Sequence, residues 1–337
     1  MRRLIVAAAV IAACSGTWTG LRAAEATDQL LATPSYKARI AETGLLPDRP
    51  QVAVVREIAF RKSGPLRIET TAPADRAGDL YLYDGNTVTY WWPHELLGVR
   101  VRGIQLPDEG AYRSYIERIV GQARHDYASA LVDAPNVAGQ PTQHWKLTPA
   151  DQRPYLLAHE EWRHRKYYLP MKVDYRDAAG APWYSMEFQE FAAVNPPAKL
   201  FEFEFPPSAL VLDWDLDDPG ITLAQAQRTM NFDVRLPARL PEGHSIRKMV
   251  RGKGEFPMLM ILMDSGAAWL SLSESRALGR SESALAVGKQ VPIGSATGYL
   301  NFQGASATLS WRMGSTALTL ISNLPFADMI AVAASVQ

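Results

Sequence analysis

The feature that most narrows the fold is a succession of short segments in which apolar and polar residues alternate, each closed by Gly, Pro, Asn or Asp. Side chains on a β-strand point to opposite faces with a period of two, so these segments read as strands and the closing residues as turns. Residues 52–60 form one strand, Lys62-Ser63-Gly64-Pro65 turns, and Leu66, Ile68 and Thr70 then alternate with Arg67 and Glu69. Leu80 and Leu82 lead through Asp84-Gly85-Asn86 into Val88, Tyr90 and Trp92, a tight hairpin. Strands are expected again at 142–147, 156–164, 170–176, 183–193 and 201–205, and the turn 177–180 closes a further hairpin.

Two stretches read as helical. Leu30, Leu31, Tyr36, Ile40 and Leu45 stand at mixed helical spacing around Pro34, which predicts a broken amphipathic helix or helix pair over 25–44. Tyr112, Tyr115, Ile116, Ile119 and Val120 recur at helical steps behind Asp108, which predicts a capped helix over 107–125. The acidic stretch Asp213, Asp215, Asp217 and Asp218 reads as a linker, followed by a short helix at 223–230. Short strands resume at 246–250, 258–263, 269–273, 290–293, 296–302, 307–313 and 317–321, and 325–336 reads as a closing amphipathic helix.

At the N-terminus, Arg2 and Arg3 precede the apolar run from Leu4 to Ala13, and Ala24-Glu25-Ala26 supplies the small-x-small pattern of an export signal cut after Ala26. The run is too short for a membrane span, which takes about 20 apolar residues. Ile11-Ala12-Ala13-Cys14 offers a second reading, a lipobox that would tether the protein through a lipid on Cys14. Cys14 is the single cysteine, so a chain cut after Ala26 has no disulfide and no thiol nucleophile. Its stability must come from core burial, and 337 residues at about 150 per domain suggest two domains. Thirty-five basic residues balance 35 acidic ones, which argues against a nucleic-acid partner.

Candidate catalysts fail on spacing. His159-Glu160-Glu161-Trp162-Arg163-His164 resembles a zinc-protease motif, but its histidines are five apart rather than four and would point to opposite faces of a strand with exposed charges. The acidic stretch lacks the glycine and the closing glutamate of a calcium loop. Neither Gly-x-Ser-x-Gly nor a phosphate-binding loop occurs, so catalytic residues, metal and cofactor are expected to be none. What remains is apolar bulk in a β framework. A sheet loosely covered by helices leaves an apolar cleft, which Leu82, Tyr90, Trp92, Tyr112, Ile116, Trp145, Trp162 and Phe188 are expected to line; the alternative is a filled core.

The segments at 60–73 (FRKSGPLRIETTAP), the Tyr83-Asp84-Gly85-Asn86 turn, 139–149 (GQPTQHWKLTP), Leu169-Pro170-Met171-Lys172 and 195–206 (NPPAKLFEFEFP), taken in that order, resemble the outer-membrane lipoprotein carrier superfamily (LolA/LolB-like). The similarity covers roughly residues 27–215, and the two-domain layout is similar to the periplasmic sigma-E regulatory proteins of the RseB/MucB type. The resemblance implies an α+β, mostly antiparallel fold: an unclosed (half) β-barrel capped by helices, then a smaller α+β domain. It divides the chain into a signal peptide (1–26), a lipid-binding half-barrel (27–215), a linker and short helix (216–230) and a small C-terminal domain (231–337). It implies a non-enzymatic protein of the periplasm that binds lipid or lipoprotein acyl chains, for transport or stress sensing. The alternatives are a regulator that binds an anti-sigma factor or another envelope protein, and an uncharacterised hydrolase.

Overall fold

The structure is a computed structural model that describes residues 23–46, 49–104, 110, 113–114, 117, 125–151, 157–177, 179–253, 257–265, 268–276, 289–303 and 306–337. Helix α1 (Ala23–Leu31) is followed by strands β1 (Tyr36–Thr43), β2 (Val54–Phe60), β3 (Leu66–Ala72), β4 (Leu80–Tyr83), β5 (Val88–Trp92) and β6 (Leu97–Arg102). After them come β7 (Tyr127–Asp133), β8 (Asn136–Val137), β9 (Gln140–Pro149), β10 (His159–His164), β11 (Pro170–Arg176), β12 (Pro182–Ala192) and β13 (Leu210–Asp215). These strands form one sheet in the order β13-β6-β5-β4-β3-β2-β1-β12-β11-β10-β9-β7, with β8 paired to β9. Its two end strands, β13 and β7, are not paired with each other, so the barrel is open. All pairings are antiparallel except β13 with β6.

The expected helix pair over 25–44 is half right. Pro34 follows the end of α1, and β1 then takes the central place between β2 and β12. Tyr36, Ala38 and Ile40 are buried while Lys37 is exposed, so once Ala38 is counted the period is two rather than helical. Of the helix expected over 107–125, Gly110, Arg113, Ser114, Glu117 and His125 are helical, and the rest lies outside the described residues. Arg113 pairs with Asp28 of α1 at 2.8 Å.

Pairing registers assign the faces. Tyr36 lies opposite Phe60, Ala38 opposite Ile58, Ile58 opposite Ile68 and Ile68 opposite Tyr81, and Tyr81 faces Tyr90. Cross-strand partners share a face, so these residues line one inner surface. On the outer surface Ala59, Leu80, Leu82 and Trp91 form a separate cluster with Phe201. Its cover is the segment expected as a strand at 201–205. Phe-Glu-Phe-Glu-Phe alternates as a strand does, but it pairs with no strand; a 3-10 turn (Ala198–Phe201) lays it flat on the sheet, with Phe203 and Phe205 centred 6.2 and 5.8 Å from Trp91. Phe205 lies directly over Gly98, where any Cβ would overlap the ring. Gly98→Val is therefore expected to lift this cover and lower stability by about 1–3 kcal/mol, read from urea unfolding.

The acidic stretch begins inside the sheet, in β13. Leu212 and Trp214 turn inward, while Asp213 accepts from Arg100 at 2.8 Å and lies 3.3 Å from Arg102. Helix α2 (Leu223–Thr229) starts with a capping box between Thr222 and Gln225, which satisfies orphan donors of its first turn. The second sheet contains β14 (Ser245–Arg251), β15 (Met258–Ser265), β16 (Ala268–Arg276), β17 (Lys289–Ile293), β18 (Ala296–Gln303), β19 (Ser306–Met313) and β20 (Thr316–Ser322). Their order is β14-β15-β16-β20-β19-β18-β17, and helix α3 (Phe326–Ala334) buries Met329, Ile330, Val332 and Ala333. Among the described residues, Val250, Met258 and Met260 of the second sheet meet Val101 and Trp214 of the first, Lys289 lies over Trp183, and Phe326 of α3 meets Tyr175 and Trp183.

Candidate functional site

The inner face of the open barrel carries apolar rings interrupted by buried charge. At its centre Glu42 and Arg56 pair at 3.0 Å, and the Tyr184 hydroxyl donates to Glu42 at 2.7 Å. Burial raises the Glu42 carboxyl, with Arg56 and Tyr184 opposing the shift. Further round the barrel, Arg163 donates to Glu161 at 2.8 Å and to the Tyr168 carbonyl at 3.2 Å, its guanidinium 4.5 Å from the Tyr168 ring. Burial alone would raise Glu161, but Arg163 and His159 together hold it below its ordinary value. The His-Glu-Glu-Trp-Arg-His strand is therefore no exposed charged strand: His159, Glu161, Arg163 and His164 are all buried.

Between Tyr81, Tyr90 and Trp92 on one side and Arg56 and Arg76 on the other lies a cavity of about 40 Å³, whose wall also includes Asn301 of β18. Tyr90 meets Tyr81 edge-on at 5.2 Å and stacks on Trp92 at 5.9 Å. Arg76 pairs with Asp79 at 3.0 Å and with Glu95 at 3.3 Å. Burial pushes the Asp79 carboxyl up to about 6 against the pull of Arg76. The site thus joins an aromatic wall to two guanidinium groups.

The residues expected to line a cleft do not share one surface. Tyr90 and Trp92 line the cavity. Phe188 lies opposite Ile40 and Trp145 opposite Glu161, both on the inner face. Leu82 points to the outer face beneath Phe201, and Trp162 stacks on His144 at 4.1 Å on the side away from Glu161. In both cases a sheet covered on its two sides carries apolar residues at odd and even positions alike, so alternation does not say which set faces inward. Tyr112 and Ile116 lie outside the described residues. Arg56, Arg76 and Asp79 were not anticipated; the available signal was a charged residue at an inward position, Arg56 between Val54 and Ile58.

The clustered histidines are committed to structure. His144 places its two ring nitrogens 2.9 Å from Asp133 and 2.9 Å from Glu160. His159 contacts Glu161 and the Leu157 carbonyl, and Nδ1 of His164 accepts from the backbone of Lys166. A general base needs a ring nitrogen free to take a proton from a nucleophile, and these engagements work against that role. Among the described residues no group of three metal-ligating side chains converges.

No family model matches the chain, and no curated protein matches it. Among solved structures it is similar to MucB in the Pseudomonas aeruginosa MucA/MucB complex, at 16% identity and a TM-score of 0.47, over 94% of this chain and 99% of that one. A structure of MucB alone matches at 14% identity and a TM-score of 0.47, over 93% and 97% of the two chains. A LolA superfamily protein from Nitrosomonas europaea matches at 14% identity and a TM-score of 0.27, over 55% of this chain and 99% of that one. This chain is similar in structure to MucB and to LolA-superfamily proteins. The MucB match covers 94% of this chain and the LolA-superfamily match 55%. Among the described residues no helix is long and apolar enough to cross a membrane.

Proposed function

We propose that this is a non-catalytic binding protein of the bacterial periplasm that takes an acyl chain with an anionic end on the inner face of its open barrel, the second sheet serving as a cover. The observation that carries the reading is the cavity wall, where Tyr81, Tyr90 and Trp92 suit a hydrocarbon; Arg56 and Arg76 would take an anionic end only in exchange for their carboxylate partners Glu42, Asp79 and Glu95. The order of motifs shared with the lipoprotein carrier superfamily supports it. At about 40 Å³ the cavity has room for about one water, far below the roughly 300 Å³ of an ordinary ligand site. On this reading, binding requires the Asn301-bearing side to move away from the aromatic wall. The driving force is apolar burial of about 0.8 kcal/mol per methylene, so ten methylenes contribute roughly 8 kcal/mol before ordering costs.

Titration with a dansyl-labelled fatty acid tests this reading. Saturable energy transfer from tryptophan, diminished by Trp92→Phe, is the expected result; absence of saturable binding contradicts it. The small size of the cavity favours a second reading, a regulator that binds a segment of an anti-sigma factor or other envelope protein on its outer surface. Crosslinking in cells distinguishes the two, since the regulator yields a protein adduct and the carrier does not require one.

A further inference from the structure

The net charge is zero, yet basic side chains cluster on one side of one end of the barrel. The registers of Tyr36 with Phe60, Lys37 with Ala192, His164 with Thr142 and Asn136 with Pro141 bring four loops to one end, 61–65, 134–139, 165–169 and 193–197. Direct bonds hold them together: Arg61 donates to the Pro196 carbonyl at 2.7 Å, and the Arg165 amide to the Pro141 carbonyl at 3.0 Å. These loops contain Arg61, Lys62, Arg165 and Lys166 and no carboxylate; exposed Lys37 adjoins them, as does Asp133 at the end of β7, which pairs with His144. Asp84, in the next turn along, marks the limit of the patch, and beyond it at the same end lie Asp215, paired with Arg102, and Asp218, paired with Lys253. At the other end the connections carry Asp75, Asp79, Glu95, Asp151 and Asp177, against Arg49 and Arg76. The cationic end also exposes aliphatic side chains: Val194 is 46% exposed, and Leu131 and Val132, near the end of β7, are each 53% exposed.

We infer that this end is a docking surface for an anionic lipid bilayer, holding the barrel end-on to the membrane whether or not Cys14 carries a lipid. Cations in excess over carboxylates, here five against Asp133, are drawn to a negative surface, each contributing about fivefold to partitioning, and exposed aliphatic side chains beside them enter the headgroup layer. The acidic far end is repelled by the same surface, which fixes the orientation. This inference does not rest on the acyl-chain reading.

Co-sedimentation with vesicles tests it, using the chain from Ala23 onward, which carries every described element while leaving out the apolar leader run. Partitioning into equimolar phosphatidylcholine–phosphatidylglycerol vesicles is expected to exceed that into phosphatidylcholine vesicles by about tenfold or more at low salt, and to fall as sodium chloride is raised. The double change Arg165→Glu and Lys166→Glu, which shifts the patch by four charges, is expected to remove that excess, a loss of about tenfold or more. A second double variant, Lys37→Glu and Lys62→Glu, reads the same patch through different strands should the first fail to fold. Equal partitioning into both vesicles, or charge-reversed variants that bind as the parent does, overturns the inference. Absence from both vesicles, which would assign the patch to an acidic protein, overturns it as well.

Discussion

Glu161→Ala is expected to cost about 3–5 kcal/mol of unfolding free energy, a large part of the stability of any domain. The carboxylate is fully buried and the Arg163 side chain 1% exposed, so the substitution takes from an interior guanidinium the carboxylate it pairs with. The cost is that of the stranded charge rather than of the pair. Replacing both partners, Glu161→Leu with Arg163→Met, is accordingly expected to recover most of the loss. Urea unfolding of the two variants decides the matter: a single variant within about 1 kcal/mol of the parent would show that water reaches this site.

The second large effect is on pH. Burial pushes Glu274 of β16, 1% exposed, up to about 7 from an ordinary 4.5, although its carboxylate accepts from the Arg235 amide at 3.1 Å. A carboxyl raised on folding binds its proton more tightly in the folded state, so stability is greatest below the unfolded value and falls as pH rises toward 7. The shift corresponds to about 3 kcal/mol lost between pH 4.5 and 8, and Asp79, raised to about 6, acts in the same direction. Glu161 is lowered and runs oppositely, its contribution being lost only in acid. Thermal melts across this range are expected to show a maximum on the acid side of neutrality. Glu274→Gln keeps an acceptor for Arg235 and is expected to flatten the profile; an unchanged slope would refute the assignment.

Much of this architecture was legible in the sequence, and the failures share a physical cause. The Asp84-Gly85 hairpin and the 177–180 turn occur as expected, because their turn residues act locally: Asp84 and Asp177 each accept from backbone amides two residues ahead. The strands of the second sheet were equally plain, since turn residues separate its short apolar runs. The misreadings arose where tertiary pairing outweighed local pattern. β1 looked helical because Tyr36, Ile40 and Leu45 are spaced for it, but two strands flank it. The 201–205 segment looked like a strand, yet its phenylalanines serve as a lid on Trp91 and Gly98. β6 and β13 went unread because Arg100, Arg102, Asp213 and Asp215 neutralise one another across strands, which no single segment reveals. The site suffered in the same way: Tyr90 and Trp92 were legible as aromatics, but Arg56 and Arg76 join them only through the closure of the sheet.

The central claim is that the inner face of this barrel binds an amphiphile with an acyl chain. Native mass spectrometry of the protein, purified from its own envelope without detergent and followed by organic extraction, tests it most directly. The account predicts a population heavier than the chain by the mass of one lipid, with an acyl-bearing anion recovered in the extract. A single mass equal to the bare polypeptide, together with an extract free of lipid and no uptake of added fatty acid, would contradict it.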